Sequence, residues 1–269
     1  MGPDCKQKER VVIIGAGNVA THLSLAMQRA GFLIIQIFSQ NFHHAHLLAN
    51  KLNCDYTINI TEINNDADYY IFSIKDDAYR SVLKNMPPNK GVFIHTSGSI
   101  PLDVFREYTN DYGVIYPLQT LSKYHETNFY KIPLFIEGNT EKVVDTINNI
   151  ANRLSESVTI LTSEKRKYLH LAAVYACNFS NYLYSVASQI LEKQGIDWHV
   201  LQPLIDETAH KLHDMRPEQA QTGPAVRNDR TIIEMHKSLL EDIKMRQLYT
   251  LISENIHNQN INKYNNDQL

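Results

Sequence analysis

The stretch of sequence that decides the fold is Arg10-Val11-Val12-Ile13-Ile14-Gly15-Ala16-Gly17-Asn18-Val19-Ala20. Residues 10–14 predict a buried β-strand, and apolar residues recur at helical spacing over residues 18–30, ahead of Gly31 at the expected C-cap. Gly15 permits a tight turn, Gly17 lets a pyrophosphate approach the backbone, and the small Ala20 lets the helix pack on the strand. This strand–turn–helix unit predicts dinucleotide binding at residues 15–20.

Beyond this strand–turn–helix unit, the sequence has further short apolar runs and one further segment with helical spacing. They predict strands at 32–38, 69–74, 92–95, 114–116 and 132–136, and a helix at 143–154. Because apolar and polar residues do not alternate along these strands, we expect both faces of the sheet to be covered, as in a parallel sheet.

The pattern changes after Thr162, where strand signals give way to helical ones. Helices are predicted over 164–193, 197–213, 230–241 and 244–257. We therefore predict an α/β Rossmann-type parallel-sheet domain at 1–161, an all-α helical domain at 162–257 for substrate binding and dimerisation, and a frayed tail at 258–269.

Composition restricts the class of protein. The 269 residues are 43% hydrophobic and 20% charged, with a formal net charge of -3, which gives no electrostatic reason to expect nucleic acid or an anionic membrane as a partner. The sequence has no apolar run near the ~20 residues of a membrane span and no signal-peptide pattern. Cys5, Cys54 and Cys177 are widely scattered and suggest neither a metal site nor a disulfide framework. A cytoplasmic protein without a metal is expected.

The end of the predicted second strand bears on the choice between NAD and NADP. NAD-binding domains of this type carry an Asp or Glu there, about 20 residues beyond the glycines. Here Ser39 and Gln40 are neutral and leave room for a 2′-phosphate, with His43 and His44 close behind, although the usual Arg is absent. NADP is therefore favoured over NAD.

Other candidate residues follow later strands. In a parallel sheet the carboxyl ends of the strands share one edge, where ligands bind. That rule predicts cofactor contacts from Ser73, Ile74, Lys75 and Ser97, and substrate contacts from Gly98 and Thr120; helix capping and turn formation are the structural alternatives.

The helical half adds a polar stripe and, at residues 222–229, an irregular stretch with a cation and an anion. Amides on an otherwise apolar helix favour either substrate binding or hydrogen bonds between helices. Arg227 has the geometry to clamp a carboxylate, with an ion pair to Asp229 or Glu234 as the alternative. The stripe, at spacings of three and four residues, comprises His170, Val174, Asn178, Asn181 and Ser185.

The chain resembles a family of bacterial proteins with a Rossmann-like domain and a C-terminal domain of unknown function 2520. That family is similar to F420-dependent NADP oxidoreductase and to pyrroline-5-carboxylate reductase. The resemblance implies a helical domain like that of the 6-phosphogluconate dehydrogenase superfamily and a homodimer formed through those helices. NADP is the expected cofactor, with NAD and F420 as the alternatives. The strings that carry it are residues 15–20, His95-Thr96-Ser97-Gly98-Ser99-Ile100-Pro101, Tyr116-Pro117-Leu118-Gln119-Thr120, His170-Leu171-Ala172-Ala173-Val174-Tyr175-Ala176-Cys177-Asn178 and Thr222-Gly223-Pro224-Ala225-Val226-Arg227.

One departure from the wider superfamily concerns a catalytic lysine. Related β-hydroxyacid dehydrogenases place a Lys four residues before an Asn on the first long helix, whereas Val174 precedes Asn178 and Cys177 precedes Asn181. Histidine changes charge near neutral pH, so His170 is our candidate general acid, with Asn178 beside it and His95 as the alternative. We expect an oxidoreductase that moves a hydride to or from a small carbonyl, imine or hydroxy acid; a nucleotide-binding protein without catalysis is the alternative.

Overall fold

The structure is a computed structural model that describes residues 8–266, with side chains for residues 8–261. The chain forms two compact units that divide between Leu183 and Tyr184. The predicted boundary after residue 161 coincides with the end of the last strand, but the first unit extends further, to Leu183.

The first unit is built on an eight-stranded sheet in the order β3-β2-β1-β4-β5-β6-β7-β8. Neighbouring strands are parallel except β6 and β7, which are antiparallel, so the sheet is mostly rather than wholly parallel. The strands are β1 (Arg10–Ile14), β2 (Leu33–Phe38), β3 (Asp55–Thr57), β4 (Tyr69–Phe72), β5 (Val92–His95), β6 (Tyr112–Pro117), β7 (Leu134–Gly138) and β8 (Val158–Ile160).

Helices pack on the sheet, and two apolar clusters form its core. One contains Val11, Ile13 and Met27, and the other contains Val12, Ile14 and Phe72, as alternation along β1 requires. Gly31 follows α1 with a φ of 93°, the left-handed conformation expected after a helix. The helices are α1 (Asn18–Arg29), α2 (Phe42–Leu52), α3 (Tyr79–Asn85), α4 (Glu141–Leu154) and α5 (Ser163–Ala173).

A π-helical segment interrupts the long helix predicted over 164–193. It spans Val174–Phe179 and continues into α6 (Ser180–Glu192). Since a π turn holds more residues than an α turn, the predicted spacing of the stripe from His170 to Ser185 does not keep its members on one face.

The second unit is helical. After a 3₁₀ turn at Trp198–Leu201 it contains α7 (Gln202–His210), α8 (Pro217–Ala220), α9 (Arg230–Leu239) and α10 (Ile243–Asn266). The sequence predicts a frayed tail at 258–269, but α10 continues through it as far as Asn266, and residues 267–269 lie outside the described residues. Among the described helices, none is long and apolar enough to cross a membrane.

Candidate functional site

The glycine turn after β1 has the geometry that the sequence predicts. Gly15 has a φ of 114°, and a Cβ there would collide with the backbone oxygen of Ser73, so only glycine fits. Gly17 is the N-cap of α1, without a hydrogen bond from a capping side chain, and a Cβ on it would meet nothing within 4 Å. Ala16 and Ala20 are buried. The first turn of α1 therefore faces open space across Gly17, as a phosphate-binding turn must.

The end of β4 meets the end of β5 beside this turn. The Ser73 hydroxyl lies 3.1 Å from the Thr96 hydroxyl, which in turn donates to the carbonyl of Phe72. Ile74 is half-buried against Gly15, and Lys75 is exposed. The Ser97 hydroxyl donates to Asp76 and accepts from the backbone N–H groups of its own turn. These hydroxyls thus hold the two strand ends together, and their predicted contacts with a cofactor stay predictions.

The end of β2 leads into α2 through a capped turn. Ser39 is half-buried and its hydroxyl accepts from the N–H of Asn41, whereas Gln40 is exposed. The Asn41 side chain accepts from the N–H of His44 and caps α2. Asn18, at the start of α1, accepts from the N–H of Lys123, a residue of the long β6–β7 loop.

The strongest side-chain arrangement lies at the end of β6. The Tyr116 hydroxyl is 3.0 Å from Nδ1 of His170, and the two rings meet edge to face with centroids 5.9 Å apart. Gly98 lies directly under the imidazole, since a Cβ there would fall 2.6 Å from Cγ of His170. The half-buried His170 therefore reaches the carboxyl edge of the sheet, where Gly98 was predicted to contact substrate.

Arg166 holds α5 in this position, one helical turn before His170. Its side chain is 1% exposed, and its guanidinium donates to Glu137 of β7 at 2.6 Å and to the backbone oxygen of Ile100 at 2.6 Å. Ser163 completes the network by donating to the same carboxylate and accepting from the N–H of Leu102. This buried network joins β7, α5 and the loop that carries Gly98.

Tyr116 is protonated at neutral pH. Burial raises the pKa of its phenol, the positive charge of Arg166 lowers it and Cys177 raises it, with a net upward shift. The neutral phenol has a proton to donate, which Nδ1 of His170 is placed to accept.

His95, the alternative general acid, lies in the core. Its side chain is 0% exposed between Tyr79 and Phe105, and its Nδ1 accepts from the N–H of Ser97. Burial and then the charge of Arg166 lower its pKa to about 3, against an opposite effect of the Pro101 backbone. It is thus neutral at physiological pH and shielded from solvent, and the geometry favours His170.

The remaining predicted substrate residues are more dispersed. Asn178 is exposed on the π-helical segment, Asn181 follows on α6, and Thr120 is exposed in the β6–β7 loop. Arg227 belongs to the second unit, is exposed, and forms no ion pair with any residue that the structure describes, Asp229 and Glu234 included. Their roles stay predictions. Over the described residues no group of three metal-binding side chains occurs.

Sequence reasoning missed Tyr116 and Arg166 as members of the site. The string Tyr116–Thr120 was noted for its place at a strand end, but its contact with His170 spans 54 residues. Arg166 could have been suspected from its position four residues before His170, on the same helical face.

The chain is similar to known protein families and to solved structures. The family described as "NADP oxidoreductase coenzyme F420-dependent" matches residues 10–96, and the domain of unknown function 2520 matches residues 132–256. A protein of Bacteroides fragilis described as a "putative NADP oxidoreductase" is 42% identical, with a TM-score of 0.89 over 93% of this chain and 98% of that one. The chain belongs to this oxidoreductase family.

More distant solved structures share the fold. A 1-pyrroline-5-carboxylate reductase of Streptococcus pyogenes is 14% identical, with a TM-score of 0.63 over 93% of this chain and 98% of that one. An imine reductase of Streptomyces aurantiacus is 12% identical, with a TM-score of 0.65 over 93% and 94%. No curated protein matches the chain significantly.

Proposed function

We propose that this oxidoreductase uses NADP to transfer a hydride to or from a small carbonyl, imine or hydroxy-acid substrate. The observation that carries the proposal is the Tyr116–His170 pair, a proton-transferring group at the carboxyl edge of the sheet. The names of the Bacteroides fragilis protein and of the family matched at residues 10–96 support the cofactor class.

The residues at the first turn fit a dinucleotide. Gly17 leaves open space in front of the uncapped start of α1, where the N–H groups favour an anion. In the proposal the turn at residues 15–20 holds the pyrophosphate, and Ser73, Ile74, Lys75 and Ser97 line the path along the strand ends. When bound, the nicotinamide supplies or accepts the hydride.

His170 is proposed to supply the proton that accompanies the hydride. Reduction of a C=O or C=N group needs a hydride at carbon and a proton at the heteroatom, and oxidation needs the reverse. With the Tyr116 phenol donating to Nδ1, the imidazole carries a proton on Nε2. As this proton passes to the substrate heteroatom, Nδ1 takes up the phenol proton, so the imidazole stays neutral and the negative charge is left on the Tyr116 oxygen.

The neighbours of His170 are proposed to fix its orientation and to position the substrate. Tyr116 sets the tautomer, Gly98 sets how close the ring approaches the loop backbone, and Arg166 holds the helix. Asn178 and Thr120 are the exposed polar groups of the first unit proposed to bind substrate.

A hydride-transfer assay across keto acids, cyclic imines and hydroxy acids, with NADPH, NADH and reduced F420 offered separately, tests this function. His170→Gln is expected to lower kcat by about 10²–10⁴-fold, with an unchanged Kd for NADPH, because a general acid is lost. Tyr116→Phe is expected to lower kcat less and to alter its pH profile, since it removes only the partner of Nδ1.

The outcomes separate the two functional hypotheses. Binding of NADPH without turnover of any substrate would favour the non-catalytic alternative suggested by Val174 in place of the superfamily lysine. Full activity of His170→Gln would exclude His170 as the acid.

A second copy of the chain is the proposed partner of the second unit. Ala225 is the only buried residue among those described from 184 to 261, while Val200, Leu204 and Leu239 are 60–72% exposed. Helices gain stability mainly by burying an apolar face, so these side chains are expected to pack against another protein surface. The family resemblance suggests that this surface belongs to a second copy of the chain in a homodimer.

A further inference from the structure

A cavity of about 230 Å³ lies between α1 and α2 in the first unit. Ala16 and Thr21 form the wall next to the glycine turn, while His43, His44 and Lys51 form the wall on α2. Lys123 and Tyr124, from the β6–β7 loop, also line the cavity. The cavity thus adjoins the turn assigned to the pyrophosphate.

The lining of this cavity is positively charged. It contains two lysines and two histidines but no Asp or Glu. Neither Lys51 nor Lys123 forms an ion pair with a residue in the described part of the chain, unlike Lys131 and Lys167, which pair with Glu156 and Glu164. Two unneutralised ammonium groups facing one cavity favour a multiply charged anion.

The loop that supplies Lys123 is fixed to α1. The N–H of Lys123 donates to the Asn18 side chain at 3.3 Å, and Nε2 of His22 lies 2.8 Å from the carbonyl oxygen of Ser122. The Lys123 side chain is half-buried. The backbone that carries this lysine is therefore held by the same helix that begins at the glycine turn.

We propose that the cavity binds the 2′-phosphate of the NADP ribose, and that Lys51 and Lys123 decide the preference for NADP over NAD. The inference rests on the proposed function. Ser39 and Gln40, the residues that the sequence singled out, are neutral and do not line the cavity. A phosphate monoester carries nearly two charges, for which the paired lysines and the adjacent imidazoles are suitable partners.

Binding of NADPH and NADH to the purified full-length protein, measured by isothermal titration calorimetry, tests the proposal. Lys51→Met and Lys123→Met keep the apolar stem and remove the charge. Each is expected to weaken NADPH binding by about 10-fold or more while leaving NADH binding within about 2-fold, since only one ligand loses a charge-assisted hydrogen bond. Lys142→Met, an exposed lysine of α4 outside the cavity, is the matched control and is expected to change neither.

Each result has a distinct meaning. If wild-type protein binds NADPH and both cavity variants retain its affinity, the cavity assignment is wrong and the proposed function stands. Equal weakening of NADPH and NADH would also overturn it, since the lysines would then bind a part common to both. If wild-type protein binds neither nucleotide, the proposed function fails and the inference with it.

Discussion

The two units of the chain use apolar side chains in opposite ways. In the first, the strands β1, β4 and β5 lie inside two apolar clusters, and residues such as Val12 and Ile71 have no exposed surface. In the second, Ala225 alone is buried over the described residues 184–261, and Leu239 is 72% exposed. The first unit has the core of an independent domain, whereas the second leaves large apolar side chains exposed on its surface.

The largest effect is expected from breaking the buried network of the first unit. Arg166→Met leaves the Glu137 carboxylate without its guanidinium partner, which should lower the free energy of unfolding by about 3–5 kcal/mol. Urea unfolding followed by far-UV circular dichroism measures this, and the fluorescence of the single tryptophan, Trp198, reports on the second unit separately.

The adjacent residue provides a control for this network. Lys167→Met removes an exposed cation that pairs with Glu164 and lies over the Tyr168 ring, and it is expected to leave the free energy of unfolding close to that of the wild type. Equal losses for the two variants would show that the Arg166 network does not stabilise the first unit in the way that its burial indicates.

The next effect concerns the association of two chains through the exposed apolar side chains of the second unit. Leu204→Gln is expected to weaken the proposed dimer by about 10–100-fold, because a buried leucine contributes roughly 1.5–3 kcal/mol at an interface. Sedimentation velocity over a concentration series measures the change. Ile160→Gln in β8 is the control, since Ile160 and Leu204 are both 62% exposed but lie in different units. A monomeric wild-type protein at high micromolar concentration contradicts the dimer.

The last effect is a dependence of stability on pH, and it comes from a buried histidine of the first unit. Burial lowers the pKa of His95 to about 3, so below about pH 6.5 the unfolded chain binds a proton that the folded chain does not. Stability should therefore fall as pH falls from about 6.5 towards 3, by up to about 1.4 kcal/mol per pH unit from this group.

Comparison with a non-titrating variant isolates this contribution. His95→Gln should show a flatter dependence of unfolding free energy on pH between 6 and 4.5, although its stability at pH 7.5 is expected to be lower. Parallel curves for the two proteins would mean that His95 takes up its proton in the folded state.

The sequence predicts those elements of the fold that residues close together in the chain specify. The run Val11–Ile14 followed by Gly15 and Gly17 specifies strand, turn and helix within a few residues, and the structure has all three. The three-residue strands β3 and β8 are too short for a period to emerge, and the antiparallel direction of β7 depends on the path of the chain rather than on its composition.

The candidate site was only partly accessible to such reasoning. His170 stood out because it was the one titratable residue on a polar stripe, and the structure places it at the sheet edge. Its partner Tyr116, and the ion pair between Arg166 and Glu137, depend on contacts between residues far apart in sequence. His95 looked catalytic because polar residues at strand ends commonly bind ligands, but neighbouring aromatic rings enclose it.

The π-helical segment at Val174–Phe179 has a consequence in genetic terms. A π turn is what an α-helix becomes when it accommodates one additional residue, and one residue corresponds to about 100° of rotation about an α-helix. Deleting a single codon within this segment would let the helix continue regularly and would turn α6 about its axis relative to His170. Asn178 and the imidazole would then lose the relative placement that they have in this structure.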